Sequence, residues 1–189
     1  MSLIQIEHLY FTYDGGSEPV FEDLDLQLET DWKLGLVGRN GRGKTTLLRD
    51  LIRQVSDGID CEPLRVALAD ERGEVAALYQ GLPQLDVGER TDVLDGCPKA
   101  RGLMLLLRAM NPQVLAVDEI TAPEDVAALC AAAGCGVTVL ATAHGGSWEE
   151  LRLRPLYREL LDQGIFRTFV VLSLAQGKRV YTVRKEGMP

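Results

Sequence analysis

Gly38-Arg39-Asn40-Gly41-Arg42-Gly43-Lys44-Thr45-Thr46 is the stretch that decides the fold. It reads G-x-x-x-x-G-K-T, with a strand predicted over 33–37 before it and a helix after it that opens Leu47-Leu48-Arg49-Asp50-Leu51-Ile52. That spacing defines a P-loop. Glycines let the backbone curl until successive N–H groups point at phosphate oxygens, and the helix turns its positive end toward the same anion. Lys44 adds a full charge for the β- and γ-phosphates, and Thr45 offers a hydroxyl to Mg²⁺. Gly38, Asn40, Gly41, Arg42, Gly43, Lys44, Thr45 and Thr46 are therefore expected to bind ATP. A glycine-rich turn before an unrelated helix would lack this strand-loop-helix context.

The bulk composition sets limits on the rest. At 189 residues, 46% of them hydrophobic, the length favours one domain with its own core. A net charge of -8 argues against a nucleic-acid partner, which calls for a concentrated basic face. ATP binding remains open, because a phosphate site is local. The uncharged run 126–143 approaches a bilayer span in length, but Gly134 and Gly136 divide it and Ala, Cys and Thr dilute it, so it reads as core. Met1-Ser2-Leu3-Ile4 shows no basic leader, and a cytoplasmic location is expected. Cys61, Cys97, Cys130 and Cys135 contain no C-x-x-C pair and are expected to be buried thiols rather than a metal site or disulfide framework.

Along the chain, 3–13 and 20–28 alternate around the turn Asp14-Gly15-Gly16, predicting a hairpin. Helices are expected at 45–55, 100–110, 124–133, 147–153 and 155–161, and strands at 64–68, 114–117, 136–142, 166–173 and 179–183. The segment 80–99 reads as a long polar stretch. Alternating strands and helices predict a mainly parallel α/β sheet with helices on both faces. The separate strand at 64–68, between the P-loop strand and the next acidic strand in the chain, points to the additional-strand class of P-loop NTPases. GTPases and nucleotide kinases fit less well.

Val114-Leu115-Ala116-Val117 delivers Asp118 and Glu119 at a strand's carboxyl end, where ligands bind in open α/β sheets. This is a Walker B pattern: Asp118 holds Mg²⁺, and Glu119 orients or activates the attacking water. Ala141-Thr142-Ala143-His144-Gly145 ends an apolar strand expected beside the first two, which places His144 near the γ-phosphate. Tyr13, upstream of the P-loop strand, is a candidate for stacking on adenine. His8, inside the first strand, has no assigned role. Arg72, Arg90, Arg101 and Arg108 are unassigned; one could stabilise transition-state charge, and most read as surface residues.

Residues 1–46, through Phe11-Thr12-Tyr13-Asp14, Val20-Phe21-Glu22-Asp23-Leu24 and the segment from Thr30 to Thr45, resemble the start of an ABC ATPase domain of the ABC-F type. That resemblance implies that Tyr13 is the adenine-stacking A-loop residue. From Lys44 onward the chain resembles the stage III sporulation protein AA ATPase family. The match rests on the P-loop helix, Asp70-Glu71-Arg72-Gly73-Glu74, residues 86–99, residues 111–120 and Ala141-Thr142-Ala143-His144-Gly145. This second family is similar to ring-forming secretion ATPases, in which an acidic box, a Walker B strand and a histidine box surround the γ-phosphate. By that likeness Glu71 competes with Glu119 for the catalytic role.

The departures are informative too. No L-S-G-G-Q signature follows the P-loop, so the usual ABC dimer is not expected. ABC-like strands stand where the sporulation ATPase has its own N-terminal region. The combination predicts a recombinant of two NTPase families, engineered or shuffled, joined at Gly43-Lys44-Thr45-Thr46. The expectation is one P-loop domain with slow Mg²⁺-dependent ATP hydrolysis, as a homo-oligomeric ring or dimer. Its rivals are a nucleotide-binding module without meaningful catalysis and, by family likeness alone, an assembly motor docking on a membrane-embedded export apparatus.

Overall fold

The computed structural model describes residues 3–12, 19, 21–29, 33–175 and 178–185. The chain begins with an antiparallel pair, β1 (Leu3–Phe11) and β2 (Phe21–Glu29), as the alternating pattern predicts. Then come β3 (Leu34–Gly38), α1 (Lys44–Asp57), β4 (Val66–Asp70) and a two-residue hairpin, β5 (Leu78–Tyr79) with β6 (Leu82–Pro83). β7 (Thr91–Asp95), α2 (Lys99–Ala109), β8 (Val114–Val117), α3 (Pro123–Gly134) and β9 (Thr138–His144) follow. The end is α4 (Trp148–Leu153), α5 (Pro155–Asp162), β10 (Thr168–Ala175) and β11 (Lys178–Lys185).

Seven strands form the main sheet in the order β11-β10-β3-β9-β8-β4-β7. Only the β10–β11 pairing is antiparallel; β10–β3, β3–β9, β9–β8, β8–β4 and β4–β7 are parallel. The strand inserted in the chain is therefore not the strand interposed in the sheet. β4 follows the P-loop helix in sequence but crosses to the far side of β8, and β9 separates the P-loop strand from the Asp118 strand. That position for β9 agrees with the expectation that it lies beside both.

Two cores sandwich the sheet, because successive side chains of a strand face opposite ways. Leu34, Leu36, Val66, Leu68, Val114 and Ala116 meet the α1 face, where Leu47, Leu48, Leu51, Ile52 and Val55 pack. Val37, Ala67, Ala69, Leu115 and Val117 face the layer of α2 to α5 instead. Gly35 is demanded by this second layer, since a Cβ there would stand 2.8 Å from the Phe169 ring. α1 stops at Gly58, whose φ of 74° suits glycine and whose N–H donates to the Gln54 carbonyl.

The polar stretch 80–99 holds more structure than its composition predicts. β7 is a partly exposed edge strand paired with β4, so it needs no apolar run to be held in place. The cysteines also differ from expectation: all four are free, but Cys61, Cys97 and Cys130 are half-buried, and Cys135 is exposed just beyond α3. Burial raises the Cys61 and Cys130 thiols above their ordinary range. Among the described residues no helix is long and apolar enough to cross a membrane.

Candidate functional site

Parallel pairing brings the carboxyl ends of β3, β9, β8 and β4 to one rim of the sheet, and the predicted site residues among the described residues meet there. The loop from β3 to α1 turns through Gly41 at φ 74° and Gly43 at φ 95°, both left-handed conformations that favour glycine. Gly38 is also constrained, because a Cβ would approach the Leu172 carbonyl to 3.1 Å and the Lys44 side chain to 3.3 Å. Asn40 and Gly41 are exposed at the loop tip, Arg42 is half-buried, and Thr46 lies buried in the first turn of α1. Lys44 is buried and donates to the Gly38 carbonyl at 2.6 Å. Burial pulls its pKa down from 10.5, opposed by the nearby carboxylates of Glu119 and Asp118.

Thr45 Oγ1 donates to Asp118 Oδ2 at 3.3 Å, joining the start of α1 to the loop after β8. Thr142 supports the same carboxylate from β9: its hydroxyl donates to Asp118 Oδ1 at 2.8 Å and accepts the Glu119 N–H at 2.8 Å. The sequence pattern alone gives Thr142 no role. The available signal was a hydroxyl standing between two alanines at the end of an apolar strand. The Thr45 hydroxyl and the Asp118 carboxylate present adjacent hard oxygen donors, a set that fits Mg²⁺.

Glu119 is less firmly held. Its Oε1 lies 3.7 Å from His144 Nδ1 and its Oε2 4.0 Å from Arg72 Nη1. His144 Nδ1 is also 3.2 Å from Asn40 Oδ1, so the histidine stands between the tip of the glycine-rich loop and Glu119. Behind it, the buried Tyr157 hydroxyl accepts the His144 N–H at 3.1 Å and donates to the Ile120 carbonyl at 3.0 Å. Tyr157 ties the loop bearing Glu119 and the end of β9 bearing His144 to α5, a link absent from any motif.

The acidic box divides by role. Asp70 is almost fully buried, and its carboxylate accepts the N–H groups of Glu74, Val75 and Ala76, so it shapes the loop after β4. Glu71 pairs with Lys99 at 3.1 Å. Asp70, Glu71, Arg72, Lys99, Asp118 and Glu119 line one pocket. Of the four unassigned arginines, Arg72 reaches this pocket, whereas Arg101 and Arg108 lie exposed on α2. Tyr13, the adenine-stacking candidate, lies outside the described residues. His8 is exposed and makes a 2.5 Å contact with Asp23, whose hydrogen bond and charge raise its pKa above 6.5.

A parallel sheet with this rim of phosphate-loop, metal-type and carboxylate groups has the fold of the P-loop secretion and pilus ATPases. The pilus retraction motor PilT, solved with bound ADP, superposes with a TM-score of 0.58 at 20% identity, covering 83% of this chain and 48% of that one. The VirB11 ATPase of the Brucella suis type IV secretion system gives 0.59 at 17% identity, covering 82% and 48%.

The sequence then places the chain more narrowly: residues 15–186 match the family described as "Sporulation stage III, protein AA", and the chain belongs to it. Stage III sporulation protein AA of Bacillus subtilis is 45% identical over 143 residues, covering 75% of this chain and 47% of that protein, so this chain spans about half its length. A putative ABC transporter ATP-binding protein of Nitratidesulfovibrio vulgaris is 38% identical over 83 residues, covering 42% of this chain and 29% of its own. The matched range includes Gly43-Lys44-Thr45-Thr46.

Proposed function

We propose that this chain is a Mg²⁺-dependent ATPase of slow turnover. The observation that carries the reading is the Asp118 carboxylate, held between Thr45 and Thr142 with Glu119 immediately beyond it. The loop amides of Gly41 and Gly43, the Lys44 ammonium and the start of α1 grip the phosphates of ATP. Thr45 and Asp118 hold the Mg²⁺, which neutralises phosphate charge. Glu119, whose carboxylate oxygens lie 3.7 and 4.0 Å from their charged neighbours, orients the attacking water and accepts its proton, and His144 reports on the phosphate side of the same pocket. Phosphoryl transfer is mostly positioning and charge stabilisation, so a site lacking a partner's contribution binds ATP well and turns over slowly.

Two measurements test this: ATP binding, and phosphate release by the wild type, Lys44→Ala and Glu119→Gln. Both substitutions should stop release, and Lys44→Ala should also weaken binding. Binding without Lys44-dependent release would favour a nucleotide-binding module, a reading supported by the missing ABC signature. No binding at all would sink both.

The likeness to PilT and VirB11 supports a further step: the chain works as a cytoplasmic assembly-type ATPase, in a ring or dimer, against a membrane-embedded apparatus. Mass in solution with and without ATP and Mg²⁺ distinguishes these assemblies. The reading keeps an ABC-derived origin for residues 1–46, with Tyr13 stacking on adenine, within a single domain spanning 1–189; an ABC-type relative that matches 42% of the chain is compatible with it. Tyr13→Ala should then weaken ATP binding without changing the affinity for pyrophosphate.

A further inference from the structure

Lys99 is out of place by every local rule for a helix start. It is the first residue of α2, at the positive end of the helix, where acidic residues are favoured and a cation is repelled. No side chain caps that end, Pro98 occupies the cap position, and the first turn contains no acid. Lys99 is also 94% buried, which strips its ammonium of most of its water. Helix stability and burial both oppose it, so its placement has to be explained by what it faces.

It faces the nucleotide pocket. Lys99 Nζ lies 3.1 Å from Glu71 Oε2, and both line the cavity with Asp70, Arg72, Asp118 and Glu119. The four carboxylates there are not equivalent. Asp70 is occupied by backbone N–H groups, and Asp118 by Thr45 and Thr142. Of the two glutamates, Glu119 has charged neighbours no nearer than 3.7 Å, whereas Glu71 is in contact with a buried ammonium that has little room to move. Arg72, the other cation, has an exposed side chain and cannot fix a neighbour in the same way.

We propose that Lys99 is a positioning residue: it fixes the Glu71 carboxylate on the pocket wall, leaving Glu119 as the mobile carboxylate that handles water. The assignment rests on the ATPase reading above and resolves the competition between the two glutamates. It predicts that Glu71 and Lys99 act as one unit, so removing either has the same effect as removing both.

The experiment compares Lys99→Met, Glu71→Gln and the double variant by steady-state phosphate release, and follows amide exchange at residues 71–73. Each single variant should lower kcat by up to about 10²-fold while KM for ATP stays within about twofold, as expected for misplaced rather than missing binding groups. The double variant should be no slower than the worse single, and exchange at 71–73 should rise in Lys99→Met. Multiplicative losses, a KM effect at unchanged kcat, or unchanged exchange would each overturn the assignment. Should Lys99→Met fail to fold, Glu71→Gln is judged against Glu119→Gln: a wild-type kcat, or a loss as large as that of Glu119→Gln, overturns the proposal, and a smaller kcat loss at constant KM supports it. A wild type without ATPase activity overturns the ATPase reading, while the exchange measurement still decides whether Lys99 fixes the loop.

Discussion

Replacing Tyr157 with phenylalanine removes one oxygen atom and should affect both the fold and the reaction. The ring is buried, and phenylalanine retains it, so little cavity forms. What is lost is the hydroxyl that accepts from the His144 N–H at 3.1 Å and donates to the Ile120 carbonyl at 3.0 Å. Each buried backbone group left without a partner costs about 1–3 kcal/mol, so two suggest a loss of roughly 2–4 kcal/mol after partial relaxation. For a chain of this size 1 kcal/mol moves Tm by about 2–4 °C, which gives a drop of roughly 4–16 °C. The two groups belong to the residue after Glu119 and to His144 itself, so their loops should loosen together. Phosphate release should therefore fall more than ATP affinity. Thermal melts and steady-state kinetics on Tyr157→Phe check both halves. A Tm within about 1 °C of the wild type would show that neither backbone group depends on this hydroxyl.

Thr142→Val keeps the shape of the side chain but leaves Asp118 and the Glu119 N–H without their shared partner, at a cost of about 1–3 kcal/mol. The Mg²⁺ concentration for half-maximal hydrolysis should rise, and an unchanged Mg²⁺ dependence would count against a support role for Thr142. Asp70→Asn weakens charge-assisted bonds to the N–H groups of Glu74, Val75 and Ala76, so urea melts should show about 2–4 kcal/mol less stability, with faster amide exchange across 70–76. Because burial lowers the Lys44 pKa, the folded state loses that proton more readily than the unfolded state. ATP affinity should decline with a midpoint below 10.5 as pH rises, while this same group adds to folding stability over that window rather than subtracting from it. Affinity that holds flat through pH 10.5 would contradict the lowered pKa.

What could be read from the sequence was whatever depends on neighbours along the chain. Leu34–Gly38 and Val114–Val117 are buried throughout, and their apolar runs announce this without any knowledge of partners. The P-loop follows the first of those strands and Asp118 and Glu119 the second, while His144 ends the apolar strand β9, so placing the strands placed the residues. β7 was hidden because an edge strand is held by pairing to β4 and can afford Thr91, Asp92 and Asp95. Lys99 and Tyr157 were hidden for a different reason. Each acts through contacts with residues distant in the chain, Glu71 for one and Ile120 for the other. A helix-starting lysine and a helix tyrosine carry no local mark of such partners.

The sheet register makes the site and also bears on where a family junction could lie. Val117 pairs with Ala141 and with Ala69, so Asp118, Thr142 and Asp70 follow in one row, and Gly38 pairs with His144. A one-residue slip would turn each of these side chains to the other face. β3 lies within residues 1–46, the part for which an ABC-type origin is proposed, yet it is the third strand of the seven, paired in parallel with β10 over Leu34 to Gly38 and with β9 over the same residues. A junction at Gly43-Lys44-Thr45-Thr46 would thus run through the middle of the sheet rather than between two folding units. Residues 44–189 alone would expose the facing edges of β9 and β10, together with the apolar residues that cover Leu34 and Leu36, and should show no cooperative thermal transition. Adding back residues 1–43 as a separate peptide should restore one together with ATP binding, because the peptide returns both the strand and the phosphate loop. A cooperative melt of the 44–189 fragment on its own would refute this dependence and make the two parts separable.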